Sequence, residues 1–385
     1  MDKKLKEIIN LNFFEIPTKK LKNKLLAFKF RMNDLRLSSD DPEIFICNKT
    51  STYDKAFVTN SIENNFVFLK DEVIEMLYAG LLPKSKIREL FVSTNQIRDA
   101  GISLVIFPER HLTVFGEFSK IPQKLTDLIF DFGYKKVSFI NLIGTYFIRP
   151  VWLAKEQVCE TKIECKFKID IDERTEKDYF YMQFNKYMPS SASTYSHKIP
   201  IYTRGNNFAE YFEQIFSICP NCKSFFTLKS EFGCVKCDKC VAAFEFSDNY
   251  EINLTKEFSN LDGAKAFQSA ILESLQKTEK PIVSYKKMTY EIPIEDEKPL
   301  YLNTVLNIYQ DKIRLNILSE KVEIPFDKII DVYLTYDNIL VFKYNPSPFL
   351  VSTINFKGNN RENLYLIIEL LNIYKKNKIN QKTNN

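Results

Sequence analysis

Five of the chain's eight cysteines fall between Cys219 and Cys240, in the runs CPNC and GCVKCDKC. Nothing else in the sequence restricts the fold as tightly. Two Cys-x-x-Cys pairs at this separation let two knuckles deliver four thiolates to one tetrahedral Zn²⁺. Cys219 and Cys222 form the first pair. Cys237 and Cys240 are favoured for the second, because the strand-like run VAAFEF begins directly after Cys240, with Cys234 as the alternative ligand. Four thiolates leave no open position for water, so the metal reads as the structural staple of a small ribbon whose own core is too thin to fold alone. Clustered thiols of this kind belong to a reducing compartment, which points to the cytoplasm. The knuckles' Lys223, Lys229, Lys236 and Lys239 stand beside Glu231, Asp238 and Glu245, so the ribbon lacks the intensely basic face expected of a nucleic-acid binder.

Either side of the ribbon the hydrophobic pattern differs. The chain has 385 residues, 45% of them hydrophobic, with 33 Phe and 20 Tyr, enough for more than one core. Residues 41–162 alternate short apolar runs (Ile44 to Cys47, Phe66 to Leu69, Leu104 to Phe107, Val137 to Ile143) with helix-like segments at Asp71 to Gly80 and Pro122 to Phe132, the pattern of an α/β domain. Residues 163–218 read as a polar connector with a helix from Asn206 to Ile218; 219–250 is the ribbon, and 251–285 a helical linker. Over 286–376 the period changes to alternating strands, then a helix opened by Asn359 with Glu362 at capping-box distance; 377–385 is a polar tail. Several strands closed by one helix resemble the pleckstrin-homology or GRAM arrangement, with a lipid or a protein as its expected partner. No run of eighteen apolar residues occurs. Residues 1–40 combine Lys3, Lys4, Lys6, Lys19, Lys20, Lys22 and Lys24 with Leu5, Ile8, Ile9, Phe13 and Phe14, which suits an anionic membrane surface or a solvated helix face, and no cleavage site of a signal peptide follows.

Within the α/β domain, Asn48 to Asp54 (NKTSTYD) resembles the NHxxxxD signature of glycerolipid acyltransferases of the lysophosphatidate type. Phe107-Pro108-Glu109 resembles the start of their FPEG motif, continued by Gly116-Glu117, and LIGTYFIRPVW resembles a segment of a bacterial subgroup that carries a zinc ribbon and a β-rich tail. The resemblance implies an α/β acyltransferase-like domain, followed by the ribbon and the β-rich module, at a membrane face. It also implies a reaction in which a histidine, oriented by the aspartate, deprotonates a lysophospholipid hydroxyl that attacks an acyl-CoA or acyl-carrier-protein thioester, with later residues holding the phosphate.

Here the sequence departs from that pattern. Lys49 occupies the base position, Arg110 the glycine after FPE, and Leu112 the position of the motif arginine. An ordinary lysine holds its proton to about pH 10.4, so only roughly one in a few thousand is neutral at pH 7. A retained Asp54 beside it stabilises the ammonium further, which predicts a salt bridge in place of a catalytic dyad. The candidate catalytic residues are therefore Lys49, Asp54 and His111; those for substrate binding are Asn48, Glu109 and Arg110. His197, the other histidine, reads as a surface residue. The expectation is a lipid-binding or scaffolding descendant of the family, with an active transferase as the alternative.

Overall fold

The computed structural model describes residues 13–14, 31–32, 37, 40–63, 65–78, 82–109, 111, 113–118, 121–153, 155–157, 160–188, 191–192, 208–231, 233–247, 251–253, 255–275, 279–292, 300–317, 320–334, 339–347, 350–357 and 363–383. The chain divides into two units, residues 1–150 with 156–204 and residues 151–155 with 205–385.

The first unit is an α/β sheet. Its elements are β1 (Phe13–Phe14), β2 (Arg31–Met32), β3 (Ile44–Cys47), α1 (Asp54–Ser61), β4 (Phe66–Leu69), α2 (Asp71–Tyr78), α3 (Lys84–Asp99), β5 (Ser103–Ile106), α4 (Gln123–Asp131), β6 (Lys136–Ile143), α5 (Thr145–Ile148), β7 (Glu160–Asp170) and α6 (Lys177–Tyr187). The strand order is β1-β4-β5-β3-β6-β7-β2. β4, β5, β3 and β6 run parallel, while β1 and β7 are antiparallel to their inner neighbours. Strands covered by helices on both faces need unbroken apolar sequence, and IFIC of β3 and SLVI of β5 are buried at every residue. Helices α3 and α4 each start directly after a proline, Pro83 and Pro122, whose φ of −65° and −64° and missing N–H suit a helix start.

Two expectations change here. Residues 163–187 are no connector: β7 pairs along the whole of β6, and Phe180 and Phe184 of α6 enter the core against Phe139. A strand this polar reads as linker in the sequence because charged positions such as Lys168 and Asp170 are exposed on either side of the buried Ile169. Phe13, expected to face a lipid surface, is fully buried and pairs with Leu69 of β4. The rest of the basic amphipathic reading of residues 1–40 lies largely outside the described residues.

The second unit holds two sheets. β8 (Leu228–Glu231), β9 (Cys234–Cys237), β10 (Ala243–Phe246) and β11 (Ile252–Asn253) form the ribbon in the order β11-β10-β9-β8. The segment before it, read as a helix over Asn206 to Ile218, holds only a 3₁₀ turn at Phe212–Gln214 among its described residues. After α7 (Leu261–Glu273) come β12 (Val283–Ile292), β13 (Leu300–Ile308), β14 (Lys312–Ile317), β15 (Glu320–Pro325), β16 (Ile329–Leu334), β17 (Ile339–Ser347) and β18 (Leu350–Lys357), all antiparallel in the order β15-β14-β13-β12-β18-β17-β16. α8 (Tyr365–Thr383) closes them, packing Leu366, Ile367, Leu370 and Leu371 on the sheet's apolar face. The expected cap at Asn359 and Glu362 lies outside the described residues; Asn363 does the capping, its Oδ1 accepting from Leu366 N–H at 3.1 Å. The helix also runs on through the stretch read as a polar tail. Gln268 of α7 donates to Glu369 Oε2 of α8 at 2.6 Å and to the carbonyl of Ile215 at 3.0 Å, fastening both helices to the segment that enters the ribbon.

Candidate functional site

Four neighbouring parallel strands end on one side of the first sheet, and the residues just beyond their carboxyl ends converge there, the usual location of a crevice in an open α/β sheet. β3 delivers Asn48 to Asp54, β4 delivers Asp71, β5 delivers Phe107 to Glu109, and β6 delivers Gly144-Thr145. A cavity of about 160 Å³ opens among Lys49, Ser51, Asp54, Lys55, Asp71 and Phe107.

Hydrogen bonds explain how the loop after β3 is held. Asn48 is buried; its Nδ2 donates to the carbonyl of Leu142 at 3.1 Å and its Oδ1 accepts that residue's N–H at 2.6 Å, so the side chain continues the ladder between β3 and β6. Glu109, also buried, accepts the N–H of Lys49. Thr50 and Thr145 share a hydroxyl hydrogen bond of 2.8 Å. Asn48, expected on substrate, gives both of its polar atoms to backbone, and Glu109, expected there too, gives one carboxylate oxygen to the Lys49 N–H; together they set the loop's shape. Replacing Asn48 with Ala strands a buried N–H and carbonyl on Leu142 and should cost about 2–4 kcal/mol in urea unfolding.

The electrostatics differ from the expected salt bridge. Asp54 is fully buried; its Oδ2 accepts the N–H groups of Thr50 (2.6 Å) and Ser51 (2.7 Å) at the mouth of α1, and the Thr145 hydroxyl also acts on its carboxylate. Burial pushes its carboxyl up to about 7, against the lowering effect of those hydrogen bonds and of the Lys49 charge. Lys49 instead reaches Asp71, Nζ to Oδ2 at 3.4 Å, and shares it with Lys55 at 2.9 Å. Burial opposes ionisation of Asp71, yet the two ammonium groups together hold its carboxyl below the usual range. Burial lowers Lys55, opposed by Asp71 and assisted by the like charge of Lys49. The cavity therefore sets Lys49 and Lys55 against Asp71, with Asp54 about half ionised near neutral pH.

His111 is half-buried and is not among the described residues lining the cavity. Arg110, Leu112 and His197 lie outside the described residues. Sequence reasoning missed Asp71 and Lys55. The signal for Asp71 is its place two residues past the run FVFL, at the same end of the sheet as Lys49 and Glu109.

Gly116 stands at φ +80°, and a Cβ there would lie 2.5 Å from that of Ala192, whose N–H donates to the Gly116 carbonyl. The glycine is kept by this close approach, and Glu117 beside it accepts the N–H of Phe115 at 3.2 Å.

In the second unit, Cys219, Cys222, Cys237 and Cys240 bring their Sγ atoms within 4.8 Å of one another. The separations Cys219 to Cys240 (3.6 Å) and Cys222 to Cys237 (3.8 Å) match the edge of about 3.8 Å that Zn–S bonds of about 2.3 Å give a tetrahedron. Each knuckle turns through a left-handed residue after its second cysteine, Lys223 (φ 55°) and Val241 (φ 60°), whose N–H returns to the carbonyl of the first cysteine. Asn221 Nδ2 donates to Cys240 Sγ at 3.5 Å, orienting one ligand from outside the set. Cys234 is not one of the four; its thiol faces the carbonyl of Glu231 at 3.1 Å. The residues fit a closed four-thiolate metal site.

Neither a protein-family model nor a curated protein matches the sequence. Among solved structures, the 1-acyl-sn-glycerophosphate (LPA) acyltransferase PlsC from Thermotoga maritima is similar over 47% of this chain and 77% of its own, at 15% identity and a TM-score of 0.33. No helix among the described residues is long and apolar enough to cross a membrane.

Proposed function

We propose that this chain is a catalytically degenerate relative of the glycerophospholipid acyltransferases that holds an anionic lipid headgroup at the carboxyl ends of β3 to β6, at a cytoplasmic membrane face. The observation that carries this reading is the partnering of Lys49. Its ammonium is given to Asp71, a carboxylate it shares with Lys55, while Asp54, the residue that would orient a base, faces the backbone of its own loop. No proton acceptor paired with an orienting carboxylate lines the cavity among the described residues, whereas its two ammonium groups suit a phosphate. The metal has a structural part in this scheme, and the β-rich module, read as pleckstrin-homology or GRAM-like, gives a second place for lipid or a protein partner.

Flotation with neutral phosphatidylcholine vesicles, with and without lysophosphatidate or phosphatidate, tests the proposal. Recovery should depend on the phosphomonoester lipid and fall about tenfold or more in a Lys49→Ala, Lys55→Ala double variant. Equal recovery on neutral vesicles, or no effect of the double variant, would contradict it.

One observation favours a second reading, transfer of an acyl chain from acyl-CoA or acyl-carrier protein to a lysophospholipid. A carboxyl that titrates at about 7, as Asp54 does, lies in the range of a general base. Nucleic-acid binding by the ribbon gains nothing from its geometry, since Lys229 pairs with Asp238 at 2.5 Å and Lys236 with Glu231 at 3.9 Å.

A further inference from the structure

Lys49 and Lys55 converge on a single oxygen, Oδ2 of Asp71, at 3.4 Å and 2.9 Å. Two ammonium groups meeting one oxygen form the arrangement in which lysines hold an oxyanion. All three side chains line the cavity after β3, and they keep 15%, 25% and 36% exposure, Asp71 being the most open of the three. A carboxylate of the chain itself thus stands where a ligand's anion would meet both lysines.

The three groups come from different elements. Lys49 follows β3, Lys55 lies in the first turn of α1, and Asp71 is the first residue of α2. The carboxylate therefore moves with the start of α2, while β3 and α1 hold the two lysines. Asp54, the cavity's other carboxyl, is tied from within its own loop by the N–H groups of Thr50 and Ser51. Asp71 is held through its side chain by the two lysines. Burial opposes its ionisation, but the ammonium groups outweigh burial, so it keeps its charge at neutral pH.

We propose that Asp71 is an internal occupant of the phosphate place: its carboxylate sits where the phosphate of a lipid headgroup binds, and the headgroup enters by displacing it. This rests on the headgroup reading above and adds that the cleft blocks itself, its affinity set by two anions competing for Lys49 and Lys55. Both anions draw on the same N–H donors, and a phosphate bound beside an unmoved carboxylate would meet a like charge at close range. A phosphomonoester displaces the carboxylate because it carries about 1.5 to 2 negative charges at neutral pH and three acceptor oxygens. The apparent affinity falls with the fraction of molecules in which the place stands open.

Flotation of the full chain with phosphatidylcholine vesicles containing increasing phosphatidate provides the test. Asp71→Asn should reach half recovery at about fivefold less phosphatidate than the wild type, or lower still. Glu72, the next residue, is exposed. Glu72→Gln removes the same charge without opening the place, and should stay within about twofold of the wild type. The gain should vanish when Lys49→Ala and Lys55→Ala are added to Asp71→Asn. A second readout needs no variant, and decides the matter if Asp71→Asn does not fold. In the wild type, phosphatidate should quicken amide exchange in the first turn of α2 as Asp71 leaves the lysines, whereas a headgroup bound beside an unmoved Asp71 would slow that exchange or leave it alone. Half recovery unchanged or weakened in Asp71→Asn, an equal gain in Glu72→Gln, or no quickening in α2 would overturn the proposal and leave the headgroup reading standing. No recovery of wild type and Asp71→Asn alike would remove both.

Discussion

Stripping the metal, or replacing Cys219 with Ser, is expected to unfold the ribbon from Cys219 to Asn253. Its strands are four, four, four and two residues long, too short to hold register without a staple. Four converging thiolates supply what the core lacks, and structural zinc sites of this type bind with roughly 10–16 kcal/mol at neutral pH. Zinc analysis should find one ion per chain, and hydrogen exchange should show amides of β8 to β10 losing protection in chelator. The loss should reach the helices too, because the segment that enters the ribbon is held by Gln268 through Ile215 and Ser217. Cys234→Ser is the control: its thiol faces Glu231, outside the ligand set, so metal content should stay unchanged.

The second large effect concerns Asp54. Its folded-state value is raised to about 7 from an ordinary 3.8, so the fold favours the protonated carboxyl. Stability from this group is fully present below about pH 4, falls as pH rises while the unfolded chain releases the proton that the folded chain retains, and levels off above about pH 7. The span corresponds to a loss on the order of 4 kcal/mol. Asn in its place keeps an acceptor for the N–H groups of Thr50 and Ser51 and has nothing to ionise. Urea unfolding of the wild type and Asp54→Asn across pH 4 to 8 should show the wild type losing ground to the variant by about that amount. Parallel curves would mean that the carboxyl is not held as the geometry implies.

Local apolar runs made much of this structure legible in the sequence. IFIC and FVFL appear as strands at their expected limits, and CPNC with CDKC yields the metal set, because knuckle spacing fixes ligand geometry. What depends on tertiary partners was not legible. β7, ETKIECKFKID, alternates too weakly to declare itself, and only its pairing along β6 makes it a strand. Asn48 resembles a substrate-binding residue by position, yet burial turns both of its polar atoms toward backbone, and Glu109 gives one oxygen to the Lys49 N–H. The partner of Lys49 was misjudged for the same reason. Asp54 is close in sequence, but the cap it makes on Thr50 and Ser51 aims it away, and Asp71 arrives from a different strand.

Acyl transfer tests the central claim most directly, the claim being that the cleft after β3 holds charge without a working base. With acyl-CoA or acyl-carrier protein as donor and lysophosphatidate as acceptor, the purified chain should bind the lipid and form no phosphatidate above the uncatalysed background. Turnover that disappears in Lys49→Ala, Asp54→Asn or His111→Ala would contradict the account.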